Sequence, residues 1–110
     1  LVSRLRFGGV DMDSVWVMEA VVLWTGWQRT AWPQRDKSRL VARFGVVAAE
    51  VLLAEVLRLE ADFYGSRAWA VVSDLSAMGD LAADEFRAMH PEVGEDAVQA
   101  LAWCYTFDYR

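Results

Sequence analysis

Residues 14–27 read SVWVMEAVVLWTGW, and whether this stretch is a helix or a strand decides the fold class. Trp16, Ala20, Leu23, Trp24 and Trp27 fall at i, i+4, i+7, i+8 and i+11, the spacing of one helical face, and Asp13 or Ser14 stands where a cap would begin it. The competing pattern is a buried strand, because Val15, Val17, Val21 and Val22 are β-branched and both alternate faces are apolar. We read a helix over about residues 14–27.

Downstream the helical pattern strengthens. Gly26, Thr30 and the Trp32-Pro33 pair mark a connection, and residues 36–64 (DKSRLVARFGVVAAEVLLAEVLRLEADFY) then run without proline. Leu40, Phe44, Val47 and Val51, with Val41, Ala48, Leu52, Val56, Leu59 and Phe63 alongside, make two adjacent apolar stripes, which predicts one long helix with Gly45 as its weak point. Gly65 suits a left-handed helix end and Ser66 a following cap. Ala68, Val71, Val72, Leu75 and Met78 predict a helix over about 67–78 that Gly79 stops, a strand at 68–72 being the alternative. Asp80 is then expected to cap a short helix to about His90, ended by Pro91, and Gly94 to precede a last helix with Glu95 and Asp96 in its first turn. The expected architecture is therefore all-α, one domain of four to five helices in a small bundle. Strands near 15–24 and 68–72 would make it α+β instead. Residues 1–10 are read as a leader outside the packed elements.

A chain of 110 residues matches one domain, and its 55% hydrophobic content exceeds the roughly 45–50% of an average soluble domain, which excludes disorder. The net charge of −5 argues against nucleic acid as a partner, which needs a basic surface. The charge is also divided: residues 1–43 carry 7 basic and 4 acidic groups, residues 44–110 carry 4 basic and 12 acidic. The single cysteine, Cys104, excludes an intrachain disulfide and a multi-cysteine zinc site, and no basic neighbour on its helix activates it. The apolar stretch 15–27 falls short of the roughly 20 residues a membrane span requires. A peripheral membrane contact through Trp24, Trp27, Trp32 and the basic run after them ranks below the other readings. A cytoplasmic location is expected, with no cofactor.

Glu50, Glu55, Asp62, Asp80, Asp84 and His90 are the residues that could hold a metal or a small-molecule ligand in a helix-lined pocket. Ordinary roles compete for each. Glu55, Arg58 and Asp62 at i, i+3 and i+7 suit a solvated salt-bridge stripe, Glu92, Glu95 and Asp96 complement a helix dipole, and His90 before Pro91 suits capping of carbonyls. The carboxylate spacings on the long helix are not those of helical metal-dependent pyrophosphatases, and no phosphate-binding glycine loop is present. No metal site is assigned.

Six tryptophans are the strongest compositional feature. Tryptophan anchors both cores and interfaces. Trp16, Trp69 and Trp103 share helical faces with aliphatic residues and are read toward the core; Trp24, Trp27 and Trp32, with Tyr105, Phe107 and Tyr109 near the C-terminus, are read as an interface. The functional expectation is a small acidic protein-interaction domain of the regulatory, adaptor or inhibitor/immunity kind that forms a homodimer through its Trp-rich surface, an enzyme being the less favoured reading. Its size and acidity resemble those of toxin-neutralising immunity proteins, a likeness of class carried by no motif. A small-molecule-binding protein or metal-dependent enzyme with an aromatic pocket is the alternative.

Overall fold

The computed structural model describes the backbone at residues 4–7 and 10–110, and side-chain environments from residue 14 onward. Of the leader expected over residues 1–10, residues 1–3 and 8–9 lie outside the described residues. β1 (Arg4–Phe7) and β2 (Val10–Asp13) pair antiparallel, Arg4 opposite Asp13 and Phe7 opposite Val10, and β2 runs directly into α1 (Ser14–Thr25). From there the fold is all-α: α2 (Lys37–Phe44), α3 (Val46–Phe63), the single turn α4 (Ala68–Val71), α5 (Leu75–Met89) and α6 (Glu95–Asp108). Both stretches with a strand alternative, 15–24 and 68–72, lack strand structure, the first lying within α1 and the second forming α4 and its end.

Burial explains the ambiguity of residues 14–27. α1 packs against α2, α3 and α6 together, so Val17, Ala20, Val21 and Leu23 are buried while Trp16, Met18, Val22 and Trp24 also press on the core. A helix enclosed on several sides carries no clean polar face, and its apolar pattern resembles that of an enclosed strand. The core between α3, α5 and α6 is built on aromatic rings: Phe63 meets Phe86 at 5.2 Å and Tyr105 at 5.6 Å between centroids. Such tilted and edge-on pairs add roughly 0.5–1.5 kcal/mol each beyond the area they bury.

Several expected boundaries move, each for a local reason. The long helix over 36–64 is two helices, because Gly45 has φ 86° and ψ 165°, outside the helical region. Its N–H closes α2 on the Val41 carbonyl, and its own carbonyl accepts from Ala49 at the start of α3. Gly65 is not left-handed, since α3 ends through Tyr64 in a right-handed conformation. The N-cap of the next helix is Arg67 and not Ser66, although the Ser66 hydroxyl accepts from the Ala68 N–H at 3.2 Å, and that helix ends at Val71. The next helix begins at Asp74, whose carboxylate accepts from the Ala77 N–H at 2.8 Å, so Asp74 and not Asp80 is the cap.

Gly79 does not stop a helix; it lies inside α5. A Cβ there would meet the Thr106 methyl of α6 at 2.9 Å. The Thr106 hydroxyl donates to the carbonyls of Ala102 (3.1 Å) and Trp103 (3.2 Å), which holds that methyl toward Gly79. Glycine is therefore the residue that lets α5 and α6 approach here. Gly79→Ala gains about 1 kcal/mol of helix propensity but incurs about 1–3 kcal/mol of overpacking, so a net loss of about 1 kcal/mol is expected by urea unfolding. In a Thr106→Ser background, where the methyl is gone, the same substitution is expected to stabilise. A Gly79→Ala effect of the same sign in both backgrounds would contradict the close approach.

Candidate functional site

The segment joining α1 to α2 carries two of the tryptophans, and polar contacts hold it in place. Gly26 (φ 82°) and Gln28 (φ 65°) turn the chain, and the Arg29 and Thr30 N–H groups both donate to the Gly26 carbonyl. The Thr30 hydroxyl donates to the Trp32 carbonyl at 2.7 Å. On the way back the Gln34 N–H donates to the Thr25 carbonyl and the Asp36 N–H to the Trp24 carbonyl. Arg39 of α2 closes the segment, its Nη1 donating to the carbonyls of Gln34 (2.7 Å) and Leu23 (3.1 Å). A cation is placed favourably there, at the carbonyl end of α1.

A second anchor ties the segment to the bundle. Arg35 Nε donates to Glu60 of α3 at 3.0 Å, and its Nη2 reaches the Tyr64 hydroxyl at 3.1 Å and Asp108 of α6 at 3.4 Å. The Tyr64 hydroxyl in turn donates to Asp108. Burial, then the Asp108 carboxylate, raises the Tyr64 phenol above its ordinary range.

Between this segment, the first half of α5 and the outer face of α6 lies an open groove of about 550 Å³. Trp27, Ala31 and Trp32 form one wall; Leu75, Ser76, Gly79, Asp80 and Ala83 of α5 form the second; Gln99, Ala102, Trp103, Thr106, Phe107 and Arg110 form the third. Of the tryptophans outside the groove, Trp16 lies 5.1 Å from Phe44 and Trp69 stacks on Tyr109 at 5.6 Å and 10°, while Trp24 packs on the core without a ring partner among the described residues. Trp27, Trp32 and Trp103 have no aromatic ring partner among the described residues, and Trp32 is 54% exposed. Phe107 carries the Arg110 guanidinium over its ring at 4.2 Å.

The interface set read from the sequence is thus divided. Trp27, Trp32 and Phe107 meet in the groove. Tyr105 is wholly buried in the core, its hydroxyl donating to the Ser66 carbonyl at 2.9 Å and accepting from the Trp69 N–H at 3.2 Å, so it presents nothing to a partner. Tyr109 lies against Trp69, Tyr64 and Tyr105, since two residues along a helix from Phe107 is a turn of about 200°. Trp24 packs on the core and does not line the groove, with a buried indole N–H that has no acceptor among the described residues.

The ligand and metal set is scattered. Glu50 pairs with Lys37, Glu55 with Arg58, and Asp84 with Arg87, which also grips Glu95 of α6 (Nε to Oε2, 3.1 Å). His90 does not use its ring on helix carbonyls: Nε2 meets Asp62 at 2.8 Å and Nδ1 meets Glu92 at 3.2 Å. Asp62 and His90 are therefore brought together as a clasp between α3 and the end of α5. Asp80 alone of the set faces the groove, and it has no hydrogen-bond or ion-pair partner among the described residues. Among the described residues no group of three or more His, Cys, Asp or Glu side chains is arranged to hold a metal ion. No helix among them is long and apolar enough to cross a membrane.

Trp103, Gln99 and Arg110 are groove residues that the sequence reading missed. Their signal is there: Gln99, Trp103, Thr106 and Arg110 fall at i, i+4, i+7 and i+11, one helical stripe that is polar except for Trp103 and runs from α6 past its end at Asp108. No protein-family model, curated protein or solved structure matches the chain.

Cys104 lies on the opposite side of α6, wholly buried behind the Arg35 network. Burial pushes its thiol up to about 12; Glu60 and Asp108 add to the rise and Arg35 opposes it. The unfolded chain releases this proton first, near the ordinary value of 9.0, so above that pH the folded state binds more protons and stability falls as pH rises toward 12. Urea unfolding at pH 7, 9 and 10.5 is expected to show this alkaline loss, with a shallower slope in Cys104→Ala. An equal slope in both would contradict the burial of the thiol.

Proposed function

We propose that this chain is a small protein-interaction domain that takes a short segment of a partner polypeptide into the groove between the α1–α2 segment, α5 and α6. One observation carries the reading: three indoles and Phe107 converge on one groove, and the indole faces have no ring partners of their own among the described residues. Indole rings supply large, rigid contact area and an N–H donor, which is why tryptophan dominates the energetics of recognition surfaces. Polar groups on the same walls, the Gln99 amide, the Thr106 and Ser76 hydroxyls, Asp80 and Arg110, supply orientation.

Shape separates the candidate occupants. A volume of about 550 Å³ lies in the range of small-molecule sites, roughly 300–1,000 Å³, but such sites enclose most of their ligand. This groove is more open than enclosed and suits a segment whose other side belongs to something larger. A second copy is served poorly by it, because a two-fold interface sets the same patch against itself, and two facing hollows leave a void. The most exposed aliphatic side chains, Val46 and Val47 on α3, Val71 on α4 and Met89 on α5, are spread over separate elements.

Selection from a displayed peptide library on the immobilised protein tests the reading. Enriched peptides are expected to bind Trp32→Ala at least roughly tenfold more weakly, the loss typical of an interface anchor. Trp69→Ala, which removes an indole 45% exposed outside the groove, is expected to change their affinity little. Circular dichroism should be unaltered in the Trp32 variant. Enriched peptides that bind Trp32→Ala as tightly as the parent, or a selection that enriches none, would overturn the groove as the recognition surface.

A further inference from the structure

We propose that the groove is selective for a basic side chain, the guanidinium or ammonium group of an arginine or lysine on the partner polypeptide, held against the indole faces with Asp80 as its counter-ion. The inference rests on the reading of the groove as a recognition surface and specifies what that surface selects.

Three observations point the same way. First, Asp80 is an exposed carboxylate on the groove wall with no hydrogen-bond or ion-pair partner among the described residues, whereas Asp84, one turn further along α5, is bound to Arg87. A partnerless acid beside aromatic walls leaves the charge of the site to be completed from outside. Second, the faces of Trp27, Trp32 and Trp103 are unoccupied by other rings among the described residues, and indole presents the strongest π-face to a cation. Third, the chain already sets one guanidinium over an aromatic ring of this groove, Arg110 over Phe107 at 4.2 Å.

Arg110 does not neutralise Asp80. No ion pair joins the two, and their positions along the helices explain why. Gly79 lies against Thr106, so Asp80 is level with the middle of the groove, while Arg110 stands beyond the C-terminal end of α6, over the Phe107 ring. The middle of the groove is therefore acidic and aromatic and its end basic. An incoming cation would lie over the middle, away from Arg110. The chain's net charge of −5 adds a long-range attraction for the same sign of ligand.

Capped tripeptides of the form acetyl-Gly-X-Gly-amide, with X arginine, norleucine or glutamate, test the proposal alongside methylguanidinium alone. The readout is the indole N–H resonances in a ¹H–¹⁵N correlation spectrum. The arginine probe is expected to shift Trp27, Trp32 and Trp103 while leaving Trp16 and Trp69 in place. It should bind roughly tenfold more tightly than the norleucine probe, the scale of a cation–π contact with a counter-ion. Asp80→Asn, which breaks no contact of the fold, should remove most of that preference.

Arginine and norleucine probes of equal affinity at these three indoles would overturn the cation preference while leaving the groove as a binding surface. An unchanged preference in Asp80→Asn would likewise overturn the role of that carboxylate as counter-ion, and with it the proposal. Methylguanidinium binding as tightly as the arginine tripeptide would overturn the polypeptide as the source of the cation. If none of the probes moves the three indoles, both the preference and the groove fall together.

Discussion

Arg39 is the residue on which the arrangement turns. Its guanidinium lies at the carboxyl end of α1 and joins that helix end to the returning chain through the Leu23 and Gln34 carbonyls. A helix end leaves carbonyls without intrahelical partners, and a buried one must find donors. Here the donors are Arg39 and the backbone N–H groups of Gln34 and Asp36, so satisfying α1 and shaping the α1–α2 segment are one event. Trp27 and Trp32 owe their positions to that event, since neither lies in a helix. Arg35 then carries the shape outward to α3 and α6 through Glu60 and Asp108.

The opposite walls depend on a different constraint, the closeness of α5 and α6. Gly79 against Thr106, with the small residues Ala83 on one helix and Ala102 on the other beside them, keeps side-chain bulk out of the contact. Small residues let helix backbones approach, and the larger groups then project to either side. On one side Phe86 and Tyr105 enter the core; on the other Trp103 and Phe107 line the groove. The ion pair of Arg87 with Glu95 sits at the exposed rim of the same two helices and adds little to their stability.

Much of the fold is legible because helical periodicity is clear in α2 and α5 and because Gly94 and the acidic first turn mark the start of α6. What the sequence conceals has physical causes. Gly45, Gly65 and Gly79 are the same residue in three roles, a helix break, an ordinary position after a helix end, and a contact point between helices. Only the neighbour in space distinguishes them. Asp74 displaces Asp80 as a cap because its role as acceptor depends on a bend at 72–74 that periodicity does not reveal. For the site, Trp27, Trp32, Phe107 and Asp80 stand out in the sequence, but in two separate groups; that they share one groove follows from the α1–α2 turn. Trp103 reads toward the core because Val98, Leu101 and Ala102 surround it in sequence, although its stripe with Gln99 and Arg110 leads outward.

The central claim, that the α1–α2 segment is a fixed wall and not a free connection, is open to one direct measurement. Amide hydrogen exchange followed by NMR reports on Gln34 and Asp36, whose N–H groups donate to the Thr25 and Trp24 carbonyls at 3.0 and 3.1 Å. Both are expected to exchange as slowly as the end of α1 in the parent chain and to lose that protection together in Arg39→Met, while α6 keeps its own. Exchange of Gln34 and Asp36 at the rate of an unstructured peptide in the parent chain would contradict the claim.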